Sequence, residues 1–233
     1  MGMPRLFVAI DTADPARAAA LAGVVGTRAG IKLGLEFFIA NGPAGVARVR
    51  QPGQPLFLDL KLHDIPNTVA GAVRSAAPLA PDLLTLHAAG GRAMLAAARE
   101  AARDCAVPPV LVAVTVLTSL DEAGLAETGQ RGPAADQALR LARLAQAAGL
   151  DGAVCSAHEI RELKSALGAK FRLAVPGLRP AGARSDDQAR VTTPGQAARL
   201  GADWLIVGRP ITGAPDPAAA LVRILEEIER AGP

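Results

Sequence analysis

Residues 55–69 place three ionisable side chains at the end of a strand-like stretch. Leucine occupies every second position before and between Asp59 and Lys61. Because side chains alternate between the two faces of a strand, this pattern puts the carboxylate beside the ammonium, opposite the leucines. Asp64 follows just before Pro66, which suits the first turn of a helix. An ammonium held next to carboxylates can donate a proton, and we predict that Lys61 does so.

A second group of residues is suited to an anionic ligand. Gly208 and Arg209 come directly after the last strand-like stretch, where backbone N–H groups and a guanidinium can bind phosphate oxygens. The long loop 176–191 precedes them and carries Arg179 and Gln188. Other arginines of this region are interpreted as solvated surface, among them Arg184 and Arg190. The alternative interpretation of Asp59, Lys61 and Asp64 is also a surface location, a turn with solvated charges.

These residues require a scaffold of alternating strands and helices. Apolar stretches predict eight strands, at 5–10, 29–34, the first half of 55–69, 83–87, 110–117, 152–155, 171–175 and 203–207. Helical patterns lie between them and after the last one, and 121–133 is predicted to be a longer connection. Apolar strands separated by helices are typical of a parallel sheet covered on its outer face. The count and the length favour an α/β fold, a (β/α)8 TIM barrel, with residues 1–233 forming a single domain.

Polar residues recur at the ends of the predicted strands. In this fold the carboxyl ends of the strands form the catalytic mouth. Six residues of complementary chemistry lie at or just beyond such an end: Asp11, Lys32, Asp59, Lys61, Thr118 and Arg209. We interpret His87 and Cys155 as packing or supporting groups, and His63 and His158 as solvated or hydrogen-bonded histidines. No spacing of His, Cys and Asp predicts a metal site.

Composition excludes several other classes of protein. The chain has 233 residues, half of them hydrophobic, and a formal net charge of +3. It lacks a long charge-free apolar run and a signal sequence, which predicts a soluble cytoplasmic protein without a membrane anchor. Weak net charge, no Tyr and one Trp argue against a nucleic-acid surface. Cys105 and Cys155 are predicted to be small buried thiols rather than a disulfide framework.

The motif Asp-x-Lys-x-x-Asp-Ile-Pro-Asn-Thr at residues 59–68 resembles that of bacterial members of the orotidine 5′-phosphate decarboxylase family. Sugar-phosphate decarboxylases share the shorter Asp-x-Lys-x-x-Asp, so the Ile-Pro-Asn-Thr continuation selects the nucleotide enzyme. The resemblance extends from Asp11 to Arg209. It implies decarboxylation of orotidine 5′-monophosphate to UMP and CO₂, the last step of de novo pyrimidine nucleotide biosynthesis. It also implies that the reaction uses no metal and no organic cofactor.

The resemblance further implies roles for individual residues. Lys61 would protonate C6 of the pyrimidine within a row of charges formed by Lys32, Asp59 and Asp64 of the partner subunit, in a homodimer with shared active sites. A loop beginning at residue 175 would close over the phosphate. Thr118 is preferred to Ser119 as the contact to the pyrimidine. The substrate-binding residues would be Asp11, Lys32, Asp59, Thr68, Thr118, Arg179, Gln188, Gly208 and Arg209.

Two alternatives remain open at this point. The first is a sister decarboxylase that acts on a sugar phosphate of the 3-keto-L-gulonate 6-phosphate type and depends on Mg²⁺. The second is a non-catalytic nucleotide-binding barrel. The intact Asp-Lys-Asp set argues against the second, because a scaffold has no use for buried opposing charges.

Overall fold

Eight parallel strands form a closed barrel in the computed structural model, which describes residues 5–130, 132–180 and 192–232. Each strand pairs with the next, and the eighth pairs with the first. The predicted (β/α)8 barrel is therefore confirmed. The strands β1 to β8 span Arg5–Ile10, Gly30–Gly34, Leu56–Leu62, Leu83–His87, Val110–Val114, Gly152–Val154, Arg172–Val175 and Trp204–Val207.

Ten α-helices lie among the described residues, in the connections between strands and after the last strand. The first and last match the predicted bounds because each begins with an Asp-Pro pair whose aspartate caps the helix, and each is followed by a glycine. The helices α1 to α10 span Pro15–Val25, Leu35–Val49, Pro66–Ala76, Gly91–Arg103, Glu122–Glu127, Ala134–Ala147, Ile160–Leu167, Pro194–Leu200, Arg209–Thr212 and Pro217–Ala231.

Three local differences from the sequence-based expectation lie near the mouth of the barrel. The connection 121–133 contains the helix α5, which Asp121 caps by accepting a hydrogen bond from the backbone N–H of Gly124. The helix α9 follows β8 directly and has four residues, too few to show a helical period. The strand β5 ends at Val114 rather than at residue 117, so Thr118 lies in the loop beyond it.

The apolar core has two layers, which explains the alternation in the strands. Leu56, Leu58 and Leu60 of β3 face the surrounding helices. Phe57 faces the inside of the barrel, where its ring meets that of Phe7 edge-on at 5.6 Å between centroids. Inward-facing side chains thus fill the barrel and form the floor beneath its mouth.

One glycine is required by this packing. A Cβ atom added at Gly30 of β2 would overlap the ring of Phe7 on the neighbouring strand.

Of the two cysteines, Cys155 is buried as predicted, whereas Cys105 is only partly buried. Within the described ranges, no helix combines the length and the apolar character needed to cross a membrane.

Candidate active site

The carboxyl ends of the strands enclose a cavity of about 270 Å³. Three charged residues line it from the adjacent strands β2 and β3: Lys32, Asp59 and Lys61. Four more predicted site residues line it from the segments that follow β5, β7 and β8: Thr118, Arg179, Gly208 and Arg209. The remaining lining is largely apolar. Seven of the residues singled out from the sequence thus share one cavity.

The charged residues form a continuous chain of ion pairs. The Lys61 Nζ lies 2.8 Å from one oxygen of Asp59, and the Lys32 Nζ lies 3.1 Å from the other. The Lys32 Nζ is also 3.5 Å from an oxygen of Asp11. The Asp59 side chain is 13% exposed and that of Lys61 is 33% exposed. A buried carboxylate therefore holds two ammonium groups, and the more exposed ammonium is that of Lys61.

These groups sit deeper than strand ends. Lys32 is in the middle of the five-residue β2, and Asp59 is in the middle of the seven-residue β3. The prediction of positions at the strand ends is therefore inaccurate for these two residues. Lys32 and Asp59 therefore lie inside the barrel, below the ends of their strands. This depth limits the contact of the Asp59 carboxylate with solvent.

Two opposing effects act on Asp59. Burial of its carboxyl raises the pKa, and the positive charges of Lys32 and Lys61, with their hydrogen bonds, lower it. The two cations outweigh burial, so the pKa of Asp59 lies below its ordinary value. The carboxylate consequently stays charged at neutral pH.

The backbone at Lys61 is unusual. Its φ angle is +46°, and Ala80 is the other non-glycine residue with a positive φ in the described parts of the chain. A lysine in this region carries strain of order 1–3 kcal/mol, which persists only where surrounding structure holds it. The register between β3 and β4 shifts at the same place, between Leu58 and Leu62. The motif lysine thus lies on an irregularity of its strand.

Thr85 of β4 contacts this irregularity and was not singled out from the sequence. Its hydroxyl oxygen accepts a hydrogen bond from the Lys61 backbone N–H at 2.9 Å. The same hydroxyl donates to an oxygen of Asp59 at 3.0 Å. The sequence does distinguish this residue, because Thr85 is a single threonine among the leucines of β4.

The two arginines of the cavity lie on the segments that follow β7 and β8. Arg209 is exposed and is the first residue of α9, directly after Gly208. Arg179 is partly buried, and its backbone N–H donates to the carbonyl of Thr192. A second cavity of about 610 Å³ adjoins the first and shares lining residues after β5 and β7 with it: Val116, Leu117, Thr118, Pro176 and Gly177. Gln188 lies outside the described residues, as do Arg184 and Arg190.

Three predicted site residues do not line the cavity. Asp11 contacts Lys32, which lines the cavity, and the Asp11 side chain is 62% exposed. Asp64 and Thr68 are exposed, with Asp64 in the loop just before α3 and Thr68 in the first turn of this helix. An Asp64 oxygen accepts a hydrogen bond from the backbone N–H of Ile65. The sequence motif therefore divides into residues that line the cavity, Asp59 and Lys61, and exposed residues that do not, Asp64 and Thr68.

Other residues weighed from the sequence lie around the site. Ser119 does not line the cavity, whereas Thr118 does. The rings of His63 and His87 stack with centroids 5.2 Å apart, and burial, followed by the charges of His63 and Lys61, lowers the pKa of His87. His158 is exposed. Within residues 5–130, 132–180 and 192–232, no three His, Cys, Asp or Glu side chains are grouped as metal ligands.

Comparison with known proteins agrees with this geometry. Residues 4–224 match the family model described as "Orotidine 5'-phosphate decarboxylase / HUMPS family". The chain is 56% identical over 230 residues to the orotidine 5′-phosphate decarboxylase of Rhodospirillum rubrum, covering 96% of this chain and 93% of that protein. It is 52% identical over 229 residues to the orotidine 5′-phosphate decarboxylase of Paramagnetospirillum magneticum, covering 96% and 97%.

A solved structure gives the same result. The crystal structure of orotidine 5′-phosphate decarboxylase from Lactobacillus acidophilus superposes with a TM-score of 0.86 at 35% identity, covering 97% of this chain and 99% of that one. The match extends over nearly the whole of both chains, and it includes the barrel that carries the charged residues. The chain belongs to the orotidine 5′-phosphate decarboxylase / HUMPS family.

Proposed function

We infer that this protein decarboxylates orotidine 5′-monophosphate to UMP and CO₂, the last step of de novo pyrimidine nucleotide biosynthesis. The observation that carries this inference is the Lys61 ammonium, 2.8 Å from a buried carboxylate, inside a cavity that also receives two arginines. The relatives named for this activity, at 56% and 52% identity, support it.

In the proposed mechanism Lys61 acts as the general acid. Loss of CO₂ leaves negative charge at C6 of the pyrimidine, which the ring delocalises poorly. The Lys61 ammonium lies next to C6, stabilises that charge as it develops, and then transfers a proton to the carbon. Asp59 lies beside the departing carboxylate and orients the Lys61 ammonium, while Lys32 orients Asp59 from the other side.

One ion pair cannot supply the whole rate enhancement. At the 2.8 Å separation of Lys61 and Asp59, an effective dielectric constant of about 20 gives an interaction of about 6 kcal/mol. Large enzymic accelerations require barrier reductions of up to about 20 kcal/mol. The remainder comes from fixed geometry and from binding energy at the phosphate, which Arg179, Arg209 and Gly208 supply together with Gln188. Thr118 binds the pyrimidine in this scheme.

A spectrophotometric assay of the purified protein tests the activity. We expect conversion of orotidine 5′-monophosphate to UMP at the same rate with and without a chelator. Loss of activity on chelation, with turnover of a 3-keto-L-gulonate 6-phosphate-type substrate when Mg²⁺ is restored, would establish the sugar-phosphate alternative instead. Binding of UMP without turnover of either substrate would establish a non-catalytic barrel.

We further propose that the active site is shared across a two-fold homodimer. Asp64 and Thr68 are exposed and do not line their own cavity, which supports a role for Asp64 in the row of charges of a neighbouring subunit. Large apolar side chains are exposed at the same end of the barrel: Ile65 is 66% exposed and Ile39 is 80% exposed. A two-fold contact through this surface would cover both and complete two sites with one patch.

Complementation tests the shared site. Lys61→Ala and Asp64→Ala should each be inactive, and mixing them should restore activity, since one site of each mixed dimer is then wild type. A random mixture should recover about one quarter of the wild-type activity, because half of the dimers are mixed and each has one intact site. Lys61→Ala mixed with Asp59→Asn is the matched control and should stay inactive. Verified subunit exchange without recovery would place Asp64 in its own chain's chemistry.

A further inference from the structure

The irregularity in β3 changes how its backbone is paired with β4. Leu58 is opposite Leu84, and Leu62 is opposite Leu86. Three residues of β3 therefore lie between these pairs, whereas β4 has Thr85 alone there. Extra residues in one strand leave backbone groups without their ladder partners, and such groups need another hydrogen-bonding partner when they are buried.

Thr85 supplies that partner with its side chain. Thr85 is fully buried, and it does not line the cavity. Its hydroxyl accepts from the Lys61 backbone N–H and donates to the Asp59 oxygen that also receives the Lys61 Nζ. These three hydrogen bonds close a ring that holds Lys61 at its backbone and at its ammonium. A hydroxyl suits this place because it is donor and acceptor at once.

We propose that Thr85 is a positioning residue for Lys61, which acts by fixing the backbone of the β3 irregularity and the orientation of the Asp59 carboxylate. This inference rests on the proposed function, because it assigns Thr85 to the reaction in which Lys61 is the acid. Removal of the hydroxyl leaves the Lys61 N–H without an acceptor and takes away one of the two hydrogen bonds that hold this oxygen of Asp59. The ammonium then loses its fixed distance to the reacting carbon, while the phosphate contacts at the other end of the cavity are unchanged.

The hydroxyl also affects the charge on Asp59. Groups that face this carboxylate are Lys32 on β2, with Asp11 beyond it, Lys61 on β3, and the uncharged Thr85 on β4. Hydrogen bonds donated to a carboxylate favour its charged form. Without the hydroxyl, protonation of Asp59 should therefore become easier. A purely structural role of Thr85 would not produce this change.

Thr85→Val tests the proposal, since it keeps the shape of the side chain and removes the hydroxyl. We expect kcat to fall by roughly 100-fold, as for a misplaced catalytic group, with KM and the affinity for UMP within about threefold of wild type. The ¹³C titration of the Asp59 carboxyl, followed by NMR on the folded protein, should move to higher pH by about one unit. Thr85→Ser should restore kcat to within about threefold of wild type and the titration of Asp59 to within about 0.3 unit of wild type.

Thr115→Val is the matched control. Thr115 is 1% exposed, its hydroxyl donates to the carbonyl of Val154, and it does not line the cavity. The Thr115→Val variant should lose about as much thermal stability as Thr85→Val. Its kcat and the titration of its Asp59 carboxyl should be those of wild type. The proposal is overturned if Thr85→Val leaves both quantities unchanged, or if Thr85→Ser is as impaired as Thr85→Val. If wild type shows no decarboxylation, the proposed function has failed, and the Asp59 titration still decides whether Thr85 controls that carboxyl.

Discussion

Replacement of Lys61 by methionine separates the chemistry of its ammonium from its contribution to stability. Methionine keeps the unbranched side chain as far as Cε and a Cβ atom at the φ of +46°, so the backbone strain is the same in both proteins. What is removed is the charge, together with its 2.8 Å contact to Asp59. The variant therefore reports on the ammonium alone.

The expected loss of stability is small. At an effective dielectric constant of about 20, the contact at 2.8 Å corresponds to at most about 6 kcal/mol. The Lys61 side chain is 33% exposed, and solvent screening together with the cost of ordering two side chains reduces the net contribution to about 1–2 kcal/mol. Asp59 also keeps its pair with Lys32 and its hydrogen bond from Thr85. The fold should thus remain intact.

The expected loss of turnover is large. General acid catalysis contributes about 10²–10⁴-fold, and the missing cation also raises the energy of the developing carbanion. We expect kcat to fall by at least about 10⁴-fold, which corresponds to about 5 kcal/mol. Single-turnover decarboxylation, UMP binding by calorimetry and thermal denaturation would give the three quantities separately.

Lys164→Met provides the matched control for this variant. Lys164 pairs with Asp203 at 2.7 Å, with 14% of its side chain exposed, and it does not line the cavity. Its replacement should cost at least as much stability as Lys61→Met and should leave kcat within about threefold of wild type. Retention of more than about one hundredth of wild-type kcat by Lys61→Met would refute the assignment of Lys61 as the proton donor.

Three further predictions concern the phosphate, pH and packing. Arg209→Ala should lower kcat/KM for the nucleotide by about 100-fold and have little effect on the phosphate-free nucleoside; equal losses on both would make Arg209 structural. Because the folded-state pKa of Asp59 is lowered, the contribution of its charge to stability is complete above its unfolded pKa of about 3.9 and is lost as pH falls through the folded-state pKa. The unfolding free energy of Asp59→Asn should therefore depend less on pH in acid than that of wild type. An unchanged acid dependence would contradict this. A Cβ added at Gly152 would overlap the carbonyl of Arg172, so Gly152→Ala should cost about 1–3 kcal/mol in thermal denaturation. Gly23→Ala, where nothing lies within 4 Å of the added Cβ, should gain about 0.5–1 kcal/mol as the control, and equal effects would contradict the predicted overlap.

The elements could be predicted where local physics determines them. The helices α1 and α10 match their predicted bounds because aspartate caps, prolines and flanking glycines mark their ends in the sequence. The two short helices α5 and α9 were missed, because neither has enough residues for a hydrophobic period. The alternation of leucine with charged residues predicted correctly that Asp59 and Lys61 share the face of β3 opposite the leucines, because strand geometry alone sets this alternation.

The amino-acid sequence by itself determined the barrel, the charged motif and the family, since periodicity, strand count and motif residues are all properties of the chain read in order. The tertiary structure alone decided the position of Asp59 inside the barrel, the positive φ of Lys61 and the hydrogen bonds of Thr85 to both residues. It also placed Asp64 on the outside although it is only three residues from Lys61 in the sequence. The physical reason is that these features depend on the register between neighbouring strands, which brings together residues about 25 positions apart.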